Sequence, residues 1–210
     1  MTDTLVILLV GCMVAASCAL VGTFLVLRKM ALLGDAISHS VLPGIALGFL
    51  LTQSRSSLVM VVGAGALGVL TVFLVERLQS TGRLYADASI GVVFPALFAV
   101  GVILISRYAS MIDLDLDCVL YGEIAYTPWD LVVVAGRTVG PRAVWINGLT
   151  LLLNLVLIGL FYKELKLVSF DPGLSEALGF RPVRLHYLLM ALVSVTVVAA
   201  FESVGAILVV

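Results

Sequence analysis

The sequence predicts an all-α fold, a polytopic transmembrane helical bundle of six full spans plus the start of a seventh. Two observations lead there. Of the 210 residues, 62% are hydrophobic and 12% are charged, with mean hydropathy +1.21, whereas soluble domains run near roughly 25% charged. The apolar residues also fall into runs close to the ~20 that a helix needs to cross ~30 Å of hydrocarbon. A net charge of -1 with no basic stripe points to the lipid bilayer rather than to nucleic acid. Cys12, Cys18 and Cys118 follow no metal-ligand spacing and form no disulfide framework; Cys12 and Cys18 read as small packing residues.

The first span is Thr4–Leu27, which carries no charge between its ends. It is too long for the core of a removable signal peptide and lacks a basic leader. The second runs from about Met30 to Leu51. The third, Leu58–Val75, contains Gly63, Gly65 and Gly68, which allow close helix approach. The fourth, Ala88–Ile105, holds Pro95, expected to kink it. Ala143–Tyr162 and Leu185 to about Phe201 complete the six. Val204–Val210 is too short to span, so the sequence reads as cut inside a seventh helix. Alternating spans from a cytoplasmic Arg28–Lys29 turn puts eight basic residues inside and four outside, which favours an external N-terminus.

Two connections exceed turns. Ser106–Arg142, on the external side, opens with Asp113, Asp115 and Asp117 alternating with leucines, the pattern of an extended segment with one acidic edge. A calcium loop would need Gly and Glu where Cys118 and Ile124 stand, so the run reads as an external acidic rim or a solvated loop. In Lys163–Arg184, Asp171 suits an N-cap, Pro172 the first helical position and Gly179 the C-terminal stop. A short helix with Leu174, Ala177 and Leu178 on one face is predicted there, of the kind that docks a cytoplasmic partner.

The chemistry concentrates in Leu32–Gly48, LLGDAISHSVLPGIALG, where Asp35 and His39 stand four apart on one helix face. Such a pair can hold a divalent metal, relay a proton or simply pair. A helix starting near Met30 would bury both about 8 and 14 Å along its axis. Charged groups at that depth cost at least about 2.5–3.5 kcal/mol each and are kept where they face a cavity, a partner or an ion. Carboxylate with imidazole suits Mn²⁺, Fe²⁺ or Zn²⁺ better than Ca²⁺ or Mg²⁺. Ser38 and Ser40 add hydroxyls nearby, and Pro43–Gly44 can loosen the next turn. His186 and Glu202 read as interfacial, Asn147 and Asn154 as hydrogen-bonding between helices, and Trp129 and Trp145 as an aromatic belt.

GTFLVLRKMALLGDAISHSVLPGIALGF (Gly22–Phe49) resembles the signature of the ABC-3 family, membrane permeases of manganese, zinc and iron ABC importers. KELKLVSFDPGLSEALGF (Lys163–Phe180) resembles that family's cytoplasmic coupling segment, and FESVGAILVV (Phe201–Val210) the start of its next conserved segment. The resemblance spans residues 1–210 as one permease domain, incomplete at its C-terminus because family members continue for several more helices. It implies a bacterial plasma-membrane protein with a second permease subunit, cytoplasmic ABC ATPases and an external solute-binding protein. It also implies that Asp35 and His39 lie in the permeation path of Mn²⁺, Zn²⁺ or Fe²⁺. Asp171, Pro172, Leu174, Glu176, Ala177, Leu178 and Gly179 would contact the ATPase, with ATP held on that partner and no cofactor bound permanently. Thr127–Arg142 is longer than the family pattern and suits docking of the binding protein. The chain carries no GxxxxGK[ST] phosphate loop and no HExxH, so neither ATP hydrolysis nor zinc-enzyme chemistry is expected of it. The rival is a secondary metal or proton transporter, or a channel, that uses Asp35 and His39 as a relay.

Overall fold

The computed structural model describes residues 3–52, 57–82, 84–108, 124, 127–134 and 137–204. The elements are α1 (Asp3–Leu27), α2 (Leu32–Thr52), α3 (Ser57–Ser80), α4 (Ala86–Tyr108), β1 (Leu131–Val134), β2 (Arg137–Pro141), α5 (Arg142–Leu160), α6 (Tyr162–Phe170), α7 (Pro172–Ala177) and α8 (Pro182–Val204). Each of the six expected apolar runs folds as a helix. Four helices, α1, α4, α5 and α8, are long and apolar enough among the described residues to cross a membrane. With α2 and α3, which are 21 and 24 residues long, they form one helical bundle.

Three features depart from the sequence expectation. The connection between α4 and α5 holds a hairpin that the sequence reading did not mark: β1 and β2 pair antiparallel, with a register shift between Val132 and Val133. Four valines and leucines in β1 favour extended backbone, and the hairpin delivers the chain directly into α5, where Arg142 N–H donates to the Asp130 carbonyl at 2.8 Å. The second departure is α6, an amphipathic helix between α5 and α7 that buries Leu165 and Val168 and exposes Lys163 and Lys166. The third is the start of α2. Lys29 takes a left-handed φ of 58°, Met30 N–H donates to Leu25 O at 2.9 Å and Lys29 N–H to Val26 O at 3.0 Å. This paired closure satisfies the last carbonyls of α1 and delays α2 until Leu32. Asp35 therefore lies in the first turn of α2, and the pair sits about 4.5 and 10.5 Å along that helix, shallower than a start at Met30 would place it.

Two hydrophobic clusters fill the bundle. The larger, around Leu33, Ile37, Val72, Val75, Leu189 and Met190, occupies the Arg28 end. The smaller packs Val6, Val10 and Val14 of α1 on Ala200 and Val204 of α8. Antiparallel α5 and α8 are stitched by the asparagines expected to do so. Asn147 Nδ2 donates to Ser203 Oγ at 2.7 Å and Asn154 Nδ2 to Thr196 Oγ1 at 2.8 Å.

The second helix makes its most extensive contact with α3 and the next with α4. Small residues set that geometry. A Cβ built on Gly63 would stand 2.6 Å from the Gly44 carbonyl oxygen and 3.3 Å from Gly48 Cα, and one on Gly101 would stand 2.9 Å from the Pro43 ring. Gly68 meets Ser194 and Ile37, whereas Gly65 has open space around it, so only two of the three α3 glycines mediate close approach. The helical assignment runs without a break through both Pro43 and Pro95. Alanine improves helix propensity by up to ~1 kcal/mol over glycine, so Gly65→Ala is expected to hold or raise the melting temperature of the detergent-solubilised protein. Gly63→Ala should lower it despite the same propensity gain, by a net ~1–3 kcal/mol of overpacking. Equal melting temperatures for the two would refute the α2–α3 crossing.

Candidate functional site

Asp35 and His39 are brought together by α2 as their spacing requires. His39 Nε2 lies 3.3 Å from Asp35 Oδ1, and the two side chains are 31% and 38% exposed. Two ligands at ~2.1 Å from one ion, separated by this distance, subtend about 104° at the ion, between the octahedral and tetrahedral angles. The pair therefore has a bite suited to a single divalent transition metal. Among the described residues no cluster of three or more His, Cys, Asp or Glu forms, so this chain's described part offers two ligands.

The two side chains look into different surroundings. Asp35 lines a cavity of about 190 Å³ between α1, α2 and α8, together with Cys18, Gly22, Ala31, Val193 and Thr196. The His39 ring packs against α4, with centroids 5.0 Å from Phe94 and 6.0 Å from Phe98. Aromatic walls of this kind orient an imidazole and keep bulk water off one side of it. Ser38 and Ser40 do less than their position suggested. Each donates its hydroxyl proton to a backbone carbonyl three residues earlier, Asp35 O and Ile37 O, both at 2.8 Å.

The segment after α5 presents a second surface. Asp171 accepts a hydrogen bond from Leu174 N–H at 2.9 Å, and Pro172 opens α7. At the other end Gly179 has φ +85°, Gly179 N–H donates to Glu176 O at 2.9 Å and Phe180 N–H to Ser175 O at 3.0 Å. Both caps of this six-residue helix are thus chemically specified. Ser175 is buried, while Phe170, Leu174, Leu178 and Phe180 are 68%, 48%, 60% and 39% exposed. Leu174 on the helix, with Phe170, Leu178 and Phe180 beside it, makes an exposed apolar patch around this turn.

A third polar group was not foreseen from the sequence, which read His186 as interfacial. His186 Nε2 lies 2.5 Å from Glu76 Oε1 on α3, and His186 Nδ1 lies 3.3 Å from Arg28 Nη1. Arg28 Nε also donates to Ser169 Oγ on α6 at 3.1 Å. Burial lowers the Arg28 pKa from its usual value, although a guanidinium in a protein stays charged. The partners of His186 are more than a hundred residues away in sequence, so no local pattern signals them. The acidic residues Asp113, Asp115 and Asp117 lie outside the described residues.

The model of a family described as "ABC 3 transport family" matches residues 3–210. The manganese transport system membrane protein MntD of Bacillus subtilis is 52% identical over 204 residues, 97% of this chain and 69% of MntD. The zinc transport system membrane protein TroD of Treponema pallidum is 48% identical over 207 residues, 99% of this chain and 56% of TroD. A solved structure, PsaBC from Streptococcus pneumoniae in complex with Fab, superposes with a TM-score of 0.76 at 32% identity, over 100% of this chain and 69% of that one. The chain thus spans between about half and two thirds of the length of these relatives. Matched end to end by the family model and carrying the Asp35–His39 helix within an apolar bundle, the chain belongs to the ABC 3 transport family.

Proposed function

We propose that this chain is the permease subunit of an ATP-binding-cassette importer for Mn²⁺ or Zn²⁺, with Asp35 and His39 in the ion's path. The observation that carries the reading is the 3.3 Å carboxylate–imidazole pair on α2, one third exposed inside an apolar bundle. Relatives named for manganese and for zinc transport support the choice of cargo; nothing in the pair itself adds support for iron over these two. Oxygen and nitrogen ligands serve both metals, and the selection between them rests with the ligands that complete the shell.

In this reading α1–α5 and α8 are the six spans, the Arg28 end of the bundle faces the cytoplasm and the N-terminus faces outward. Basic residues support the polarity: Arg28, Lys29, Arg77, Lys163, Lys166, Arg181 and Arg184 all fall at the Arg28 end or on α6–α8 connections. An external binding protein delivers the ion, and the hairpin β1–β2 is a surface suited to it, with Asp113, Asp115 and Asp117 as an acidic rim that concentrates cations. The ion passes between helices to Asp35 and His39, which replace part of its hydration shell. A second permease subunit supplies further ligands. A cytoplasmic ATPase docks on α7, where Leu174 and Leu178 are exposed, and hydrolyses ATP; this chain performs no hydrolysis of its own.

Radiolabelled uptake in cells expressing the complete transporter tests the cargo path. Asp35→Ala/His39→Ala should cut Mn²⁺ or Zn²⁺ uptake by more than about tenfold while the ATPase still co-purifies. Unimpaired uptake in that double variant removes the pair from the path. Uptake that survives an ATPase-dead partner would instead make the protein a gradient-driven transporter with Asp35 and His39 as a proton relay.

The docking surface has its own test. Leu174→Asp/Leu178→Asp places charge on an exposed apolar face without touching the caps, so the permease should keep its melting temperature but lose co-purification with the ATPase. Retained association would move the docking site off α7.

A further inference from the structure

We propose that Ser169, Arg28, His186 and Glu76 form a positioning link that carries movement of the α6–α7 segment into α3 and α8. The proposal rests on the importer reading above and names the residues that couple its two ends.

The chemistry fixes the direction of the chain of contacts. A guanidinium only donates hydrogen bonds, so Arg28 donates from Nε to Ser169 Oγ at 3.1 Å and from Nη1 to His186 Nδ1 at 3.3 Å. With Nδ1 accepting, the proton of a neutral imidazole sits on Nε2, which lies 2.5 Å from Glu76 Oε1 in close polar contact, though not aligned as a hydrogen bond. Ser169 Oγ in turn donates to Leu165 O at 2.7 Å, inside α6. Every member comes from a different element: α6, the α1–α2 turn, α8 and α3. Asp171, the N-cap of α7, follows Ser169 by two residues, so the docking helix and the link share one short stretch of backbone.

A stabilising contact alone does not account for this choice of groups. Burying a charged network is commonly no better for stability than apolar packing of the same shape, and here Arg28 Nη2, Gln79 Nε2 and His186 Nε2 are buried without a hydrogen-bond partner. The network also borders an open cavity of about 690 Å³ between α3, α6 and α8, so the elements it joins have room to shift against one another. A planar two-pronged guanidinium that grips one element with each prong transmits such a shift where a greasy contact would slide.

The experiment measures metal ions imported per ATP hydrolysed, in proteoliposomes holding the complete permease, its ATPase and metal-loaded binding protein. Arg28→Lys keeps the charge but loses the fork, and His186→Leu removes both contacts of the imidazole. Each should lower the ratio by about tenfold, within the 5- to 150-fold range of typical site-to-site coupling, while ATP turnover persists. His186→Gln, which can still accept from Arg28 and donate to Glu76, should restore most of it. The double variant Arg28→Lys/His186→Leu should be no worse than the poorer single, because the contacts act in series. Ser169→Ala removes a single hydroxyl; it keeps the question open to test if a larger change prevents assembly, and should lower the ratio several-fold. An unchanged ratio in assembled variants, or uptake and ATP turnover falling in step with the melting temperature, overturns the link. Wild-type transporter without ATP-dependent uptake would overturn the importer reading itself, a result distinct from coupled wild-type transport with unaffected variants.

Discussion

Polar groups carried into an apolar medium must find partners within the chain, and the arrangement of this bundle follows from that constraint. Helices settle the backbone. Many hydroxyls settle themselves: Thr23, Thr71, Ser89, Thr150 and Thr196 each donate to the carbonyl four residues earlier. Side chains with more donors than a single carbonyl can absorb must reach across, which is why Asn147 and Asn154 staple α5 to α8. Two ionisable groupings stand out among the described residues: a carboxylate–imidazole pair on α2 and a chain of polar and charged groups at the Arg28 end.

The second helix is placed by absence of bulk rather than by apolar attraction. Lipid offers an apolar side chain nearly the same environment as a neighbouring helix, so close packing and small residues decide which faces meet. Gly44 and Gly48 of α2 receive Gly63 of α3, and Pro43 receives Gly101 of α4. Those contacts lie one to three turns beyond Asp35 and His39 along the same helix. A rotation of α2 would swing Pro43 and Gly44 off their partners, so the glycine contacts also fix the direction in which the pair points. His39 reaches Phe94 and Phe98 because α4 is held that close.

Much of the fold was legible because hydrocarbon thickness converts directly to run length: Thr4–Leu27 and Ala143–Tyr162 were found within a residue or two of α1 and α5. The caps of α7 were equally legible, since Asp171, Pro172 and Gly179 each act on backbone within a few residues. Apolar runs gave no guide to helix faces. A lipid-facing valine and a core valine look alike, and so Gly65 could not be told from Gly63. The hairpin was hidden by Arg137 and Gly140, which broke the valine pattern, and α6 by its modest length. The Met30 start for α2 missed the left-handed turn at Lys29, a position where glycine is the usual signal. Asp35 and His39 were visible through helical spacing, while Glu76 and His186 stayed invisible because their partnership is set by the tertiary approach of α3 and α8.

Two carboxylate–imidazole pairs in one bundle raise the question of which would hold an ion, and their surroundings separate them. Arg28 stands against the far nitrogen of His186, so a cation arriving at Glu76 meets a fixed positive charge on the other side of the imidazole. A like charge held that near disfavours a cation at the pair. Asp35 pairs with His39 and lines a small cavity whose neighbours are apolar and hydroxyl groups. The same two functional groups are thus tuned apart by one guanidinium. Beside Arg28 the imidazole stands between a guanidinium at Nδ1 and a carboxylate near Nε2. On α2 the imidazole meets Asp35 through Nε2 and packs its ring on Phe94 and Phe98, the pair proposed above for the ion's path.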